Sequence, residues 1–293
     1  LINKKFIIKC RTLSNKNKKF GNNKIKFTDD FEKLKSLDTI FLAIPSQSIR
    51  NNLNLLKKEV EDKKFIFVIC SKGVEKNSNK LMSEVVEDIF PKNKIVIMSG
   101  PNFSSELISN KPSATVLSSV KDSVSHDVSK ILERRNFRIY FNNDIIGTQL
   151  GGAMKNIIAI ACGFIKGMSL GENARAAIVT RGMSEIVQLG LKMGAKRQTF
   201  YGLSGIGDLT LTCYSLKSRN TKLGFYLAKG RKISEFKKEN LLEGVNSCDS
   251  ICNLGKIYKV ELPICNSVKK IIDGVNSEKI ISNLLSRPLQ FEN

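Results

Sequence analysis

Residues 145–165 read IIGTQLGGAMKNIIAIACGFI, and the division of the chain turns on this stretch. Apolar residues fall on nearly every face, no proline interrupts, and Asn143-Asp144 just ahead can cap the start, so the run predicts one long helix. A helix apolar all round is buried. Its only charged residue is Lys155, and an ammonium carried into such a place is costly without a partner or a task. Burial lowers a lysine's pKa and lets it take up a proton near neutral pH. Gly151 and Gly152, one turn earlier, leave room for a ligand or another backbone. The plainer reading is a lysine snorkelling out of a core helix. Length alone also permits a membrane span, but Gln149, Lys155 and Asn156 in mid-span and the many glycines argue for a buried soluble helix.

The 293 residues suffice for two domains, and 41% hydrophobic content is globular rather than disordered. The opening LINKKFIIKC lacks the apolar run and small-residue site of a signal peptide. Seven scattered cysteines without a CxxC pair suggest neither a disulfide framework nor a metal site, and imply a reducing, cytoplasmic setting. The net charge of +21 admits a polyanion binder. Yet the basic residues are strewn along the chain and aromatics are only 7%, which favours solvated basic faces over nucleic-acid binding. The single histidine, His126, lies in a polar segment expected to be a solvated helix face. Proton transfer would therefore fall to lysine or a carboxylate.

Before residue 144, short β-rich runs (6–8, 39–44, 65–70, 95–98, 114–117, 138–141) alternate with helical patterns (46–60, 78–89, 104–108, 120–134). That alternation predicts α/β architecture, a doubly wound, Rossmann-type parallel sheet covered on both faces, over 1–143. Ligands of such sheets gather beyond the carboxyl ends of the strands. There the chain places Pro45-Ser46-Gln47, with Ser46 set to cap a helix, then Ser71-Lys72-Gly73, then Ser99-Gly100-Pro101-Asn102-Phe103-Ser104. Turns use these residue types for structural reasons too. No GxGxxG occurs, so the expected reading is a domain lacking its first strand and glycine-rich turn. Arg11 then follows the 6–8 strand, where an arginine accommodates the phosphate of NADP.

From residue 144 strand signals stop, and helical patterns near 173–193, 223–228, 233–239, 247–259, 266–273 and 277–285 predict an all-helical second domain over 144–293. Residues 171–175 read as a turn and cap. Asp208 and Thr212 share a face if helical, and Arg219 and Asn220 offer a guanidinium fork and an amide suited to phosphate.

Together SKGVE (71–75), SGPNFSSE (99–106), IGTQLGGAMKNIIAIACG (146–163), GENARAAIVTRG (171–182), GLSGIGDLTLTC (202–213), SRN (218–220) and LEGV (242–245) resemble the bacterial NAD(P)-dependent glycerol-3-phosphate dehydrogenases. The match spans almost the whole chain in order. It implies a Rossmann domain followed by a helical one, NAD(P) as cofactor, and an active site in the cleft between the domains. The resemblance makes Lys155 the proton acceptor and has Lys72 contact substrate and cofactor. It puts Gly100, Asn102, Asp208, Ser218, Arg219 and Asn220 on glycerol phosphate, with Arg219 also reaching the cofactor. Ser104, Leu241 and Glu243 join Arg11 on the cofactor, and Thr212 matches a polar position near the site in eukaryotic relatives. The implied partner is the small-molecule substrate, with a homodimer allowed. A hydroxy-acid dehydrogenase of similar build and a non-enzymatic polyanion binder are the alternatives.

Overall fold

The computed structural model describes residues 6–9, 25–60, 63–237 and 242–275. They form two compact units, one of 1–71, 82–98 and 102–145, the other of 72–81, 99–101 and 146–293.

The first unit contains strands β1 (Phe6–Lys9), β2 (Ile25–Thr28), β3 (Thr39–Leu42), β4 (Ile66–Ile69), β5 (Lys94–Ser99, its last residue in the second unit), β6 (Ser113–Ser118) and β7 (Phe137–Asn142). Between them run helices α1 (Ile49–Val60), α2 (Met82–Ile89), α3 (Ser104–Ile108) and α4 (Asp122–Leu132). Five strands make one sheet in the order β3-β4-β5-β6-β7, while β1 and β2 pair in parallel as a separate two-stranded sheet. In register, β3, β4 and β5 are parallel (Leu42 opposite Ile69, Ile69 opposite Ile97), as are β6 and β7.

Consecutive residues of these strands go to opposite cores. Ile40, Leu42, Phe67, Ile69 and Ile97 pack with Leu53, Val85 and Phe90. Val68, Val96 and Leu117 pack with Val124 and Val128 on the other face. A parallel sheet covered on both sides needs unbroken apolar runs, which is why 66–69 reads IFVI without alternation. This is the Rossmann-type sheet that the alternating pattern predicts.

Three local expectations are corrected. β2 was unread, because four residues between Asn22-Asn23-Lys24 and Asp29-Asp30 carry almost no periodic signal. The helix expected from residue 78 begins at Met82, since Asn77 and Asn79 adopt left-handed backbone and Val74 bridges Leu81. Ser46 does not cap a helix: it lies buried inside a short 3-10 turn, Ser46–Ser48, leading into α1.

The second unit is helical: α5 (Ile145–Gly167, its first residue in the first unit), α6 (Gly171–Lys192), α7 (Arg197–Phe200), α8 (Asp208–Tyr214), α9 (Arg219–Ala228), α10 (Ile233–Lys237), α11 (Glu243–Ile257) and α12 (Pro263–Ile272). The 277–285 helix lies outside the described residues. Residues 171–175 are not a turn and cap, for α6 already begins at Gly171 and Leu170 holds the N-cap position. α5 is long and apolar enough to cross a membrane by length and composition, but 89% of its most apolar window is buried in protein. Its neighbours in the core include Ile186, Leu189, Leu209, Leu223, Ile251 and Val268.

The crossing of α5 and α9 depends on glycine at Gly163 and Gly224. A methyl on Gly163 would collide with the Thr221 carbonyl, and one on Gly224 with the Ile160 carbonyl. Backbone cannot yield as a side chain does. Gly224→Ala is therefore expected to destabilise by at least the ~1–3 kcal/mol of an overpacked core. Thermal unfolding checks this, and an unchanged Tm would show that the crossing can open at no cost.

Candidate active site

α5 is the platform of the site because its glycines let other segments come close. A Cβ on Gly152 would stand 3.1 Å from Ser99 Oγ and 3.3 Å from Lys72 Cγ, and one on Gly151 would stand 2.7 Å from the Ser204 carbonyl oxygen. The chain after β4 thus lays Lys72 against α5. A kinked turn over Leu203–Gly207, with non-helical backbone at Gly205, delivers Asp208 to the head of α8.

Lys155 is 8% exposed and Asp208 1%. The Lys155 Nζ donates to Asp208 Oδ1 at 2.5 Å and to Thr212 Oγ1 at 2.8 Å. Thr212 in turn donates to the Asp208 carbonyl at 2.6 Å, so its hydroxyl presents a lone pair to the ammonium. The other carboxylate oxygen of Asp208 accepts from Lys72 Nζ at 2.5 Å, and Lys72 also donates to the Gly100 carbonyl at 3.1 Å. Gly100 has φ of 147°, a backbone region costly for other residues. One buried carboxylate thus holds two ammoniums, leaving one positive charge in excess.

Burial pushes the Lys155 ammonium down; Asp208 pulls it back up and the Lys72 charge pushes it down again, so that its pKa falls to about 8. The snorkelling alternative does not hold, since the Nζ is turned into the protein, where it donates to Asp208 and Thr212. What the arrangement can do is accept or supply one proton near neutral pH beside a second, fixed cation.

The remaining site residues fall into distinct places. Ser218 caps α9, its Oγ accepting from Thr221 N at 3.3 Å. Asn220 is buried among protein groups: its Nδ2 donates to Asn156 Oδ1 at 3.1 Å and its Oδ1 accepts from Gly244 N at 3.2 Å. The second N–H of its amide makes no hydrogen bond among the described residues. Among the described residues, Arg219 lines a cavity of about 460 Å³ with Lys217, Lys222, Arg231 and Tyr226, and with the carboxylate of Glu235. Glu243 is buried at the start of α11. Asn102 and Ser104 belong to the first unit. There Ser104 is exposed at the head of α3, and the buried Oδ1 of Asn102 accepts no hydrogen bond among the described residues. A buried acceptor left open in this way fits a ligand carrying amide or hydroxyl donors, as a nicotinamide cofactor does. Arg11 and Leu241 lie outside the described residues. His126 is exposed on α4, its ring 4.1 Å from that of Phe141.

Reading the sequence did not single out the pairing of Lys72 with Asp208, 136 residues apart, or Arg175, which the fold buries behind α8. For Arg175 the usable signal was Glu172 three residues earlier, one helical turn away and of opposite charge.

The chain is similar to known proteins over both of its halves. The family model for the N-terminus of NAD-dependent glycerol-3-phosphate dehydrogenase matches residues 11–125, and that for the C-terminus matches 144–282. Glycerol-3-phosphate dehydrogenase [NAD(P)+] of Parvibaculum lavamentivorans is 37% identical over 271 residues, 92% of this chain and 81% of the relative. The protein of the same name from Thermoanaerobacter sp. (strain X514) is 38% identical over 268 residues, covering 90% and 81%. The crystal structure of glycerol-3-phosphate dehydrogenase from Coxiella burnetii superposes with a TM-score of 0.87 at 32% identity, covering 91% of this chain and 82% of that one. With both family models matched in order and a lysine–aspartate–lysine cluster at the head of α8, the chain belongs to the NAD-dependent glycerol-3-phosphate dehydrogenase family.

Proposed function

We propose that this chain interconverts sn-glycerol 3-phosphate and dihydroxyacetone phosphate with NAD(P), Lys155 exchanging the proton. The observation that carries the proposal is a buried lysine with its pKa drawn down to about 8, held by Asp208 beside a second ammonium. In oxidation the neutral Lys155 amine removes the C2 hydroxyl proton. A nicotinamide cofactor held there would supply the acceptor for the C2 hydride in oxidation and the hydride donor in reduction. In reduction the Lys155 ammonium stabilises the charge developing on the C2 oxygen and then supplies its proton. Asp208 fixes the Nζ so that its remaining direction is available to substrate, and Lys72 keeps the local charge positive as the oxygen becomes anionic. Arg219 holds the phosphate, supported by the cations that line its cavity with it, Lys217, Lys222 and Arg231. Ser104 and Glu243 meet the cofactor, as do Arg11 and Leu241.

The domain division we propose is a nucleotide domain over 1–143 and a catalytic helical domain over 144–293. The natural partner is a small phosphorylated molecule rather than nucleic acid, the +21 charge serving to attract anions, and the setting is the reducing cytoplasm.

The test follows the absorbance of NADH or NADPH with dihydroxyacetone phosphate across pH. A base with pKa about 8 must be neutral for oxidation and charged for reduction. Oxidation kcat/KM is therefore expected to rise with pH through about 8, and reduction kcat/KM to fall through the same value. Turnover of a 2-keto acid with none of dihydroxyacetone phosphate would transfer the chain to hydroxy-acid chemistry and sink the proposal.

A further inference from the structure

We propose that Arg175 is a positioning residue for this reaction, acting through α8 to hold Asp208 and Thr212 against Lys155. This rests on the function proposed above. Arg175 lies on α6, is 3% exposed, and among the described residues makes no hydrogen bond or ion pair with Lys155 or Asp208. Its terminal nitrogen donates to the Cys213 carbonyl at 2.8 Å. The guanidinium lies 4.4 Å from the centre of the Tyr214 ring. Its carboxylate partner Glu172, 3.1 Å away, has a side chain 71% exposed. Arg175 Nε is buried and makes no hydrogen bond among the described residues.

As a stabilising device this is poor: a buried guanidinium with one N–H unmet and a solvated counter-ion gains little over an apolar side chain. Its value lies in what it holds. The last carbonyls of a helix have no partner within the helix. α8 is only seven residues long, and two of its late carbonyls are bound by side chains of two other helices. Thr221 of α9 donates to the Thr212 carbonyl at 2.7 Å, while Arg175 takes the Cys213 carbonyl. A cation at this end also suits the helix dipole. With both anchors in place, Thr212 and Asp208, one turn apart, present a fixed pair of acceptors to Lys155 Nζ.

The titratable and charged groups acting on Lys155 are Asp208 and Cys213 from α8 and Lys72 from the segment after β4. Of these Asp208 raises the Lys155 pKa most. Loosening α8 moves Asp208 away and lets the Lys155 pKa fall further.

The experiment compares the full chain with Arg175→Met and Arg175→Lys. For Arg175→Met, kcat and kcat/KM are expected to fall together by up to about 100-fold, the scale of a displaced catalytic group, with KM little changed. The oxidation limb of the pH profile moves to lower pH. Arg175→Lys, keeping a cation and one donor for the Cys213 carbonyl, recovers part of both. Titration of Lys155, followed by NMR of protein labelled at lysine Cε, should show the same downward shift without reference to turnover. An unmoved Lys155 titration and unmoved pH limb in Arg175→Met, even with a lowered Tm, would reduce Arg175 to a structural residue. If Arg175→Met does not fold, Tyr214→Leu removes only the half-exposed ring under the guanidinium. A smaller shift of the same sign is then expected, and none would overturn the role. Failure of the parent chain to turn over dihydroxyacetone phosphate would instead count against the function, leaving the NMR titration to decide on Arg175.

Discussion

Lys155→Met is expected to lower turnover by about a hundred- to ten-thousand-fold, the contribution of a positioned general base, while leaving the fold intact. Methionine preserves most of the packing of α5 and removes the titrating group. The folded chain also loses a cost: drawing a lysine from 10.5 to about 8 opposes folding by ~3 kcal/mol whenever the amine is charged. That cost is in force below about pH 8 and is relieved as pH rises toward 10.5, because in this window the unfolded chain binds the extra proton. Against this gain, Asp208 keeps one ammonium, Lys72, in place of two. The Tm near pH 7 should accordingly stay close to the parent's. Lys155→Arg should rescue little, since a guanidinium never discharges to accept the hydroxyl proton. Steady-state kinetics and thermal unfolding on the same preparations separate the outcomes. Near-normal turnover in Lys155→Met would refute its role, and a collapsed Tm would make it a structural lysine.

The second large effect is expected from Asp208→Asn, which keeps the shape of the side chain and removes the charge between two ammoniums. Removing one partner of a buried ion pair costs ~3–5 kcal/mol. Here the lower end applies, because the Lys72 side chain is 23% exposed and Lys155 can discharge. With its largest stabilising partner gone, Lys155 titrates below about 8. The penalty is then greatest at acid pH, where both lysines are charged, and shrinks as pH rises. Unfolding at pH 6 and at pH 9 should therefore show a larger loss of Tm at pH 6. Turnover should fall steeply at both, since the amine is no longer aimed. A variant matching the parent in stability and rate at pH 6 would mean that Asp208 does not carry the two lysines.

The order of the chain's chemistry was legible where local pattern forces structure. An apolar stretch of 21 residues with one lysine predicts a buried helix whose charge needs a partner or a task. Unbroken apolar runs such as IFVI, alternating with amphipathic segments, predict parallel strands covered on both faces. The start of α11 at Glu243 and of α9 at Arg219 was missed by four residues each, because their first turns pack through Gly244, Asn220 and Thr221 rather than through large apolar side chains. Asn220 read as a free amide for phosphate, yet the fold spends most of it on Asn156 and Gly244.

By itself, then, the sequence determined the class of fold, from hydrophobic periodicity, and marked Lys155 as the one charge in the buried helix, its role as proton acceptor being what the family resemblance implies. The tertiary structure decided what that charge meets. Lys72, Asp208, Thr212 and Arg175 come from four separate segments, and no local rule relates residues up to 136 positions apart. Their meeting depends on backbones approaching at Gly151 and Gly152 and on the two anchors of α8, which exist only once the helices are packed.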